Sequence, residues 1–198
     1  LESGHPATRL HAADPSAESL SNLRKLGPVH TYQDNAEACA HADVVIVAVK
    51  PQVMRAALES IAAPVRERGA LVISIAAGTT IASMEQSLGT GAAIVRCMPN
   101  TPALLGVGAS GVYANAQVAP GQRELAGHIL GAVGLVEWVD AEPLLDAITA
   151  LSGSGPAYFF LFMEAMINAG CSMGLSRECA TTLTRQTALG AARMALES

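Results

Sequence analysis

Charge is scarce in this chain. Only 15% of its 198 residues are Asp, Glu, Lys or Arg, and they sum to −5 with no basic run. That balance offers no footprint for nucleic acid or for an anionic membrane surface, so neither is expected as a partner. Paired metal ligands are missing as well. The histidines His5, His11, His30, His41 and His128 form neither an HxxxH nor an HExxH pair, and Cys39, Cys97, Cys171 and Cys179 have no CxxC spacing. No metal site is expected from such a pattern. A chain of this size does not depend on a disulfide framework, and buried free thiols in a reducing cytoplasm are the expectation. The sequence lacks the basic stretch and long apolar core of a signal peptide. Its most membrane-like segment, Ala157 to Gly170, is interrupted by Glu164 and Asn168 and is too short and too polar to span. A hydrolase signature is absent too, because neither Ser152 nor Ser154 has glycine two residues away on both sides.

What the chain does have is apolar residues, 51% of the total, arranged with two different periods. From Arg9 to about Val139, short β-branched runs alternate with amphipathic stretches. Arg9 to Ala13 reads as a strand, Ser16 to Gly27 as a capped helix, Val29 to Tyr32 as an extended piece and Asn35 to His41 as a short helix. Asp43 to Val49 is the clearest strand, apolar on both faces, and belongs at or near the centre of a parallel sheet with Leu71 to Ala76 beside it. A helix is expected from Gln52 to about Ala63, a third strand at Ala93 to Met98, a helix from Val118 to Gly131 and a last strand at Leu135 to Val139. Strand alternating with helix at this spacing marks a doubly wound α/β domain. Leu1 to Gly4 reads as a helix end with Gly4 at its cap.

Gly106-Val-Gly-Ala-Ser-Gly111 matches GxGxxG letter for letter. A dinucleotide fingerprint needs a strand before it and a helix N-terminus after it. Here a Pro-bounded loop precedes and the strand-like Val112-Tyr113-Ala114 follows, so glycines in a loop entering an edge strand are the preferred reading.

The pattern changes at Leu151-Ser-Gly-Ser-Gly-Pro-Ala-Tyr158. Gly153, Gly155 and Pro156 make a corner where Ser152 or Ser154 can cap the next helix. Two long helices follow, Pro156 to about Gly170 and Ser176 to the end. The first carries Phe159, Phe160, Leu161, Phe162, Met163, Met166 and Ile167, leaving Glu164 and Asn168 as a narrow polar stripe. A helix apolar on nearly all sides must be buried on nearly all sides, which points to a second subunit. The expected division is therefore 1–142 for the α/β domain and 143–198 for a helical dimerisation domain.

Ligands of open parallel sheets bind at the carboxyl ends of the strands. Val49-Lys50-Pro51, Ala76-Ala77-Gly78 and Met98-Pro99-Asn100 stand at three such ends, combining small residues, one cation and one amide. Any one of them alone is an ordinary strand-to-helix turn; together they suggest a nucleotide site.

These same blocks carry a resemblance. Ala48-Val-Lys-Pro51, Ser74-Ile-Ala-Ala-Gly-Thr-Thr80, Arg96-Cys-Met-Pro-Asn-Thr-Pro102 and Leu151 to Tyr158 closely resemble pyrroline-5-carboxylate reductases in order and spacing. The resemblance implies a Rossmann-type domain, a helical domain through which subunits interlock, and hydride transfer from NADPH, with NADH possible, to a cyclic imino acid in the cytoplasm. It implies that Asn35, Ala48, Val49, Lys50 and Ala77 line the dinucleotide, that Met98, Pro99 and Asn100 lie near the nicotinamide, and that Asp14 and Ser16 sit by the adenosine ribose. It also implies that the family's Gly-x-Gly-Asn-Met loop precedes Leu1 and that its Ser-Pro-Gly-Gly-Thr loop follows Ser198, so that this stretch by itself is expected to be inactive. An imine can arrive protonated from solution, leaving catalysis to orientation and exclusion of water, so no catalytic residue is nominated. Two alternatives remain: a related small dehydrogenase, which should carry a lysine in the helical domain although none follows Lys50, and a non-catalytic nucleotide-binding scaffold.

Overall fold

A computed structural model describes residues 4–197, so the helix end expected over Leu1 to Ser3 and the final Ser198 lie outside the described residues. Strand β1 (His11–Ala13) pairs in parallel with β2 (His30–Tyr32) as a small separate sheet. Arg9 belongs instead to a 3-10 turn, Ala7–Arg9. Across the pair the His11 ring stacks on His30, 4.8 Å between centroids, and its Nδ1 lies 3.0 Å from the Tyr32 hydroxyl. Helix α1 (Ala17–Arg24) starts where expected because the Ser16 hydroxyl accepts from the Ser19 amide. Asp34 does the same for α2 (Asn35–Cys39).

Among the described residues the main sheet has five strands in the order β3 (Val44–Val47), β4 (Leu71–Ser74), β5 (Ile94–Met98), β6 (Gly108–Ala114) and β7 (Gly134–Trp138). β3, β4 and β5 run parallel, β6 is antiparallel to β5, and β7 is parallel to β6. This corrects the central placement expected for Val44 to Val49. β3 is an end strand of the five, and Ile46 is 49% exposed. The most enclosed strand is β4, all four of whose residues are buried. One face of β3 is covered, with Val45 and Val47 in one core cluster, while on the other Val44 packs against the second cluster and Ile46 stays exposed. A two-faced apolar pattern reports that both faces can be packed; it does not report whether the strand's hydrogen-bonding edges are paired.

Helix α3 (Met54–Arg68) runs past the stop expected at Ala63, because Met54, Leu58, Ile61 and Val65 lay one continuous stripe into the core. That burial outweighs the hydrogen bond lost at Pro64, and the helix ends only at Gly69, which takes a left-handed φ of 63°. α4 (Ile81–Leu88) follows β4, and α5 (Pro120–Gly131) connects β6 to β7.

The GxGxxG segment, expected as a loop entering an edge strand, is already strand from Gly108 onward, and β6 is interior to the sheet and not an edge. Gly106 takes a left-handed φ of 72°, while Gly108 and Gly111 answer to close packing. A Cβ on Gly111 would collide with the Ile148 side chain, and one on Gly108 would meet the Ala103 backbone at 2.9 Å.

Beyond β7 come α6 (Leu144–Ile148), a π-helical turn (Thr149–Gly153), α7 (Gly155–Ser172) and α8 (Arg177–Glu197). The glycine corner is thus a π turn closed by the Ser154 amide donating to Thr149 O at 2.8 Å. Neither corner serine caps α7: Ser152 Oγ bonds back to Ile148 O, and Ser154 makes no side-chain cap. The backbone is still helical there, so no extended N-cap geometry exists for a hydroxyl to exploit. α7 and α8 pack antiparallel around Gly170 and Ala180, and the Ser176 hydroxyl caps α8 by accepting from Cys179 N. Cys39 and Cys97 are buried as expected, whereas Cys171 is half-buried and Cys179 exposed in this hairpin.

Candidate functional site

Because Val47 pairs with Ser74 and Ser74 with Arg96, the carboxyl ends of β3, β4 and β5 emerge at one rim. Three of the expected segments therefore meet there: Ala48, Val49 and Lys50; Ala77; and Met98, Pro99 and Asn100. Ala48, Lys50 and Ala77 are exposed and Val49 is half-buried. Gly78 takes φ 74°, and a Cβ built there would find open space, so backbone is presented without side-chain cover. Among the described residues Lys50 makes no ion pair, and its extended backbone leads into Pro51 at the start of a 3-10 turn. A rim of small residues with one cation that makes no ion pair suits a dinucleotide: flat rings and ribose approach bare backbone, and an ammonium meets anionic oxygen.

Two rim residues are also tied into the fold. Met98 is half-buried, with its Cε 2.7 Å from where a Cβ on Gly153 would stand, so Gly153 is small to admit it. Asn100 spends both ends of its amide internally: Nδ2 donates to Ser152 O at 3.1 Å, and Oδ1 accepts from Ala109 N at 2.9 Å. Its role is to hold the rim against the π turn.

The other expected residues lie apart from this rim. Asp14 ends β1, where its Oδ1 accepts from Ser16 N at 2.7 Å. Asn35, first residue of α2, donates from Nδ2 to Ser60 Oγ at 3.1 Å on α3. No strand pairing joins β1 and β2 to the main sheet among the described residues; α2, touching β1, β2 and α3, bridges them.

Cys97 sits beside Met98 but points into the core. Burial pushes its thiol up to about 11 despite the opposing hydrogen bond with Ser110, so it is protonated and inert near neutrality.

Two residues at this end of the sheet escaped sequence reasoning. Arg96 is 6% exposed within β5, and its Nη1 donates to Glu142 Oε1 at 3.0 Å. The same oxygen accepts from Ile81 N at 2.8 Å. An arginine inside an otherwise apolar strand was the available signal, since such a charge requires a buried partner.

Comparison with known proteins gives concordant matches along the chain. The family model described as pyrroline-5-carboxylate reductase dimerisation matches residues 142–198, and the one described as NADP oxidoreductase coenzyme F420-dependent matches residues 1–78. The chain is 54% identical over 195 residues to the pyrroline-5-carboxylate reductase of Pseudomonas aeruginosa, covering 98% of this chain and 71% of that protein. A solved structure of a pyrroline-5-carboxylate reductase from Coxiella burnetii is 45% identical, with a TM-score of 0.96, covering 100% of this chain and 73% of that one. The Plasmodium falciparum pyrroline carboxylate reductase, solved with NADP bound, is 32% identical with a TM-score of 0.86, covering 100% of this chain and 72% of that one.

Proposed function

The chain belongs to the pyrroline-5-carboxylate reductase family, and from that premise we propose that its protein reduces 1-pyrroline-5-carboxylate to L-proline with NADPH, accepting NADH as well. The observation that carries this reading is the common rim formed by the ends of three parallel strands in register, with Lys50 unpaired among small residues. Ala48, Val49, Lys50 and Ala77 would hold the dinucleotide, Met98, Pro99 and Asn100 would border the nicotinamide, and Asp14, Ser16 and Asn35 would serve the adenosine end. Bound there, the reduced nicotinamide supplies a hydride to the carbon of the C=N bond.

The chain's own contribution is placement. The iminium nitrogen brings its proton from solution, so the product amine forms without a general acid from this stretch. Asn100 and Met98 brace the rim against the π turn, fixing the height at which two flat rings can meet and water is excluded. The buried neutral Cys97 takes no part.

The working unit in this reading is a homodimer or a larger assembly, with the α/β domain over 1–142 and the dimerising helices over 143–198. Tyr158, Phe159, Phe160, Leu161 and Phe162 of α7 are 59–69% exposed, an apolar band round the helix that a second copy would cover. No described helix is long and apolar enough to cross a membrane. Unpaired Cys39 and Cys97 suit the reducing cytoplasm, and a net charge of −5 gives nucleic acid or an anionic bilayer nothing to bind.

The test is direct. Full-length enzyme given NADPH and the cyclic imino acid should oxidise one NADPH for each proline formed, and should leave hydroxy acids untouched with NADP. Turnover of a hydroxy acid in place of the imine would overturn the reading.

A further inference from the structure

A charge buried inside a β strand is costly unless it is paired. Arg96 meets that requirement through Glu142, and the same carboxylate oxygen reaches Ile81 N, the first helical amide of α4. One atom therefore joins three elements: β5, the amino end of α4, and the segment that leads into the helical region. The guanidinium and the amino end of a helix both favour a negative charge between them, so the carboxylate is held from two directions. Buried ion pairs of this kind add little net stability over well-packed apolar residues. What this one does is fix position, because α4 begins directly after the exposed loop Ala77 to Thr80.

We propose that Glu142, backed by Arg96, is a positioning residue for the dinucleotide: by gripping Ile81 N it sets the placement of the Ala77 to Thr80 loop, so the start of the helical region controls affinity at the rim. This rests on the reading above that the loop faces the dinucleotide. Thr80 caps α4 through its hydroxyl, which accepts from Ser83 N, but that bond is local to the helix start. The Glu142 contact reaches the end of the loop from a distant part of the chain, 61 residues away in sequence.

Two double variants of the full-length enzyme separate this role from stability. Arg96→Met/Glu142→Gln and Arg96→Met/Glu142→Leu both remove the buried charges, but only Gln keeps an oxygen for the Ile81 amide. The Leu variant should raise the KM and Kd for NADPH about tenfold over the Gln variant, the loss of one hydrogen bond, with kcat at saturation and the imino acid KM unchanged within about twofold. Equal NADPH affinity in the two variants, or a parallel rise in both KM values, would overturn the proposal. If the Leu variant does not accumulate, Glu142→Asp, which withdraws the carboxylate by one methylene, takes its place under the same readouts. Ala77→Leu serves as the control on the premise. If it leaves the NADPH KM unchanged, the loop does not face the dinucleotide and the reading of the site itself fails. If it raises that KM while the two double variants bind alike, only the clamp is wrong.

Discussion

Asn100 Nδ2 donates to the carbonyl of Ser152 across 3.1 Å, joining the end of β5 to the π turn that opens the helical region. With Oδ1 taken by Ala109 N, this one amide sets the distance between the rim and the helices. Asn100→Ala leaves the Ala109 amide without its acceptor. It should lower stability by about 1–3 kcal/mol, read from urea unfolding, and should reduce kcat more than it raises either KM. Unchanged stability with kcat intact would show that the bridge has no such role.

Lys50 stands at the rim with no ion pair among the described residues. Lys50→Ala in the full-length enzyme should weaken NADPH binding by about 1–3 kcal/mol, the range of a charge-assisted hydrogen bond, while thermal stability stays the same. Fluorescence titration with NADPH measures it, and an unaltered Kd would remove Lys50 from the site.

At the end of β1, Asp14 holds the first turn of α1 through Ser16 N. A carboxylate at this position favours a ribose 2′-hydroxyl over a 2′-phosphate. Asp14→Ser should therefore shift the ratio of kcat/KM for NADPH over NADH upward by about five- to tenfold, a charge repulsion of roughly 1 kcal/mol near the protein surface. A wild type strictly preferring NADH would reverse the proposed cofactor choice.

The Cys97 thiol has a folded-state value of about 11 against an ordinary 9.0, held up by burial. Between those values the unfolded chain has lost this proton and the folded one has kept it, so stability falls as pH rises through that window. The stabilisation is complete below about pH 9 and diminishes by about 2 kcal/mol towards pH 11, a loss that Cys97→Ala should abolish in urea titrations across that range. The exposed Cys179 should react with a thiol reagent at pH 8 while Cys97 stays unmodified until the protein unfolds.

Phe160 is 63% exposed in the middle of the apolar band of α7. Covering such a ring stabilises an interface by about 2–3 kcal/mol, and an aspartate in its place would have to be buried unpaired. Phe160→Asp should move the protein from dimer or larger to monomer in sedimentation at micromolar concentration. A wild-type monomer under those conditions would refute the assembly.

Much of this architecture was legible in the residues alone, and the legible part is local. β-branched runs marked the strands, Ser16 and Ser176 marked helix starts, and the crowding of apolar residues around Phe159 to Ile167, with Glu164 and Asn168 as a narrow polar stripe, marked a helix with more apolar surface than its own chain covers. Dihedral preference and side-chain periodicity act over a few residues, so they determine which faces are apolar and where elements begin. They carry no information about which edge finds which partner. That β3 ends the main sheet, that β6 runs antiparallel inside it, and that the corner serines face helical backbone are properties of topology. The ties that hold the rim are of the same kind. Arg96 with Glu142, Asn100 with Ser152 and Ile81 with Glu142 lie 46, 52 and 61 residues apart, and only the packed tertiary structure brings each donor within reach of its acceptor.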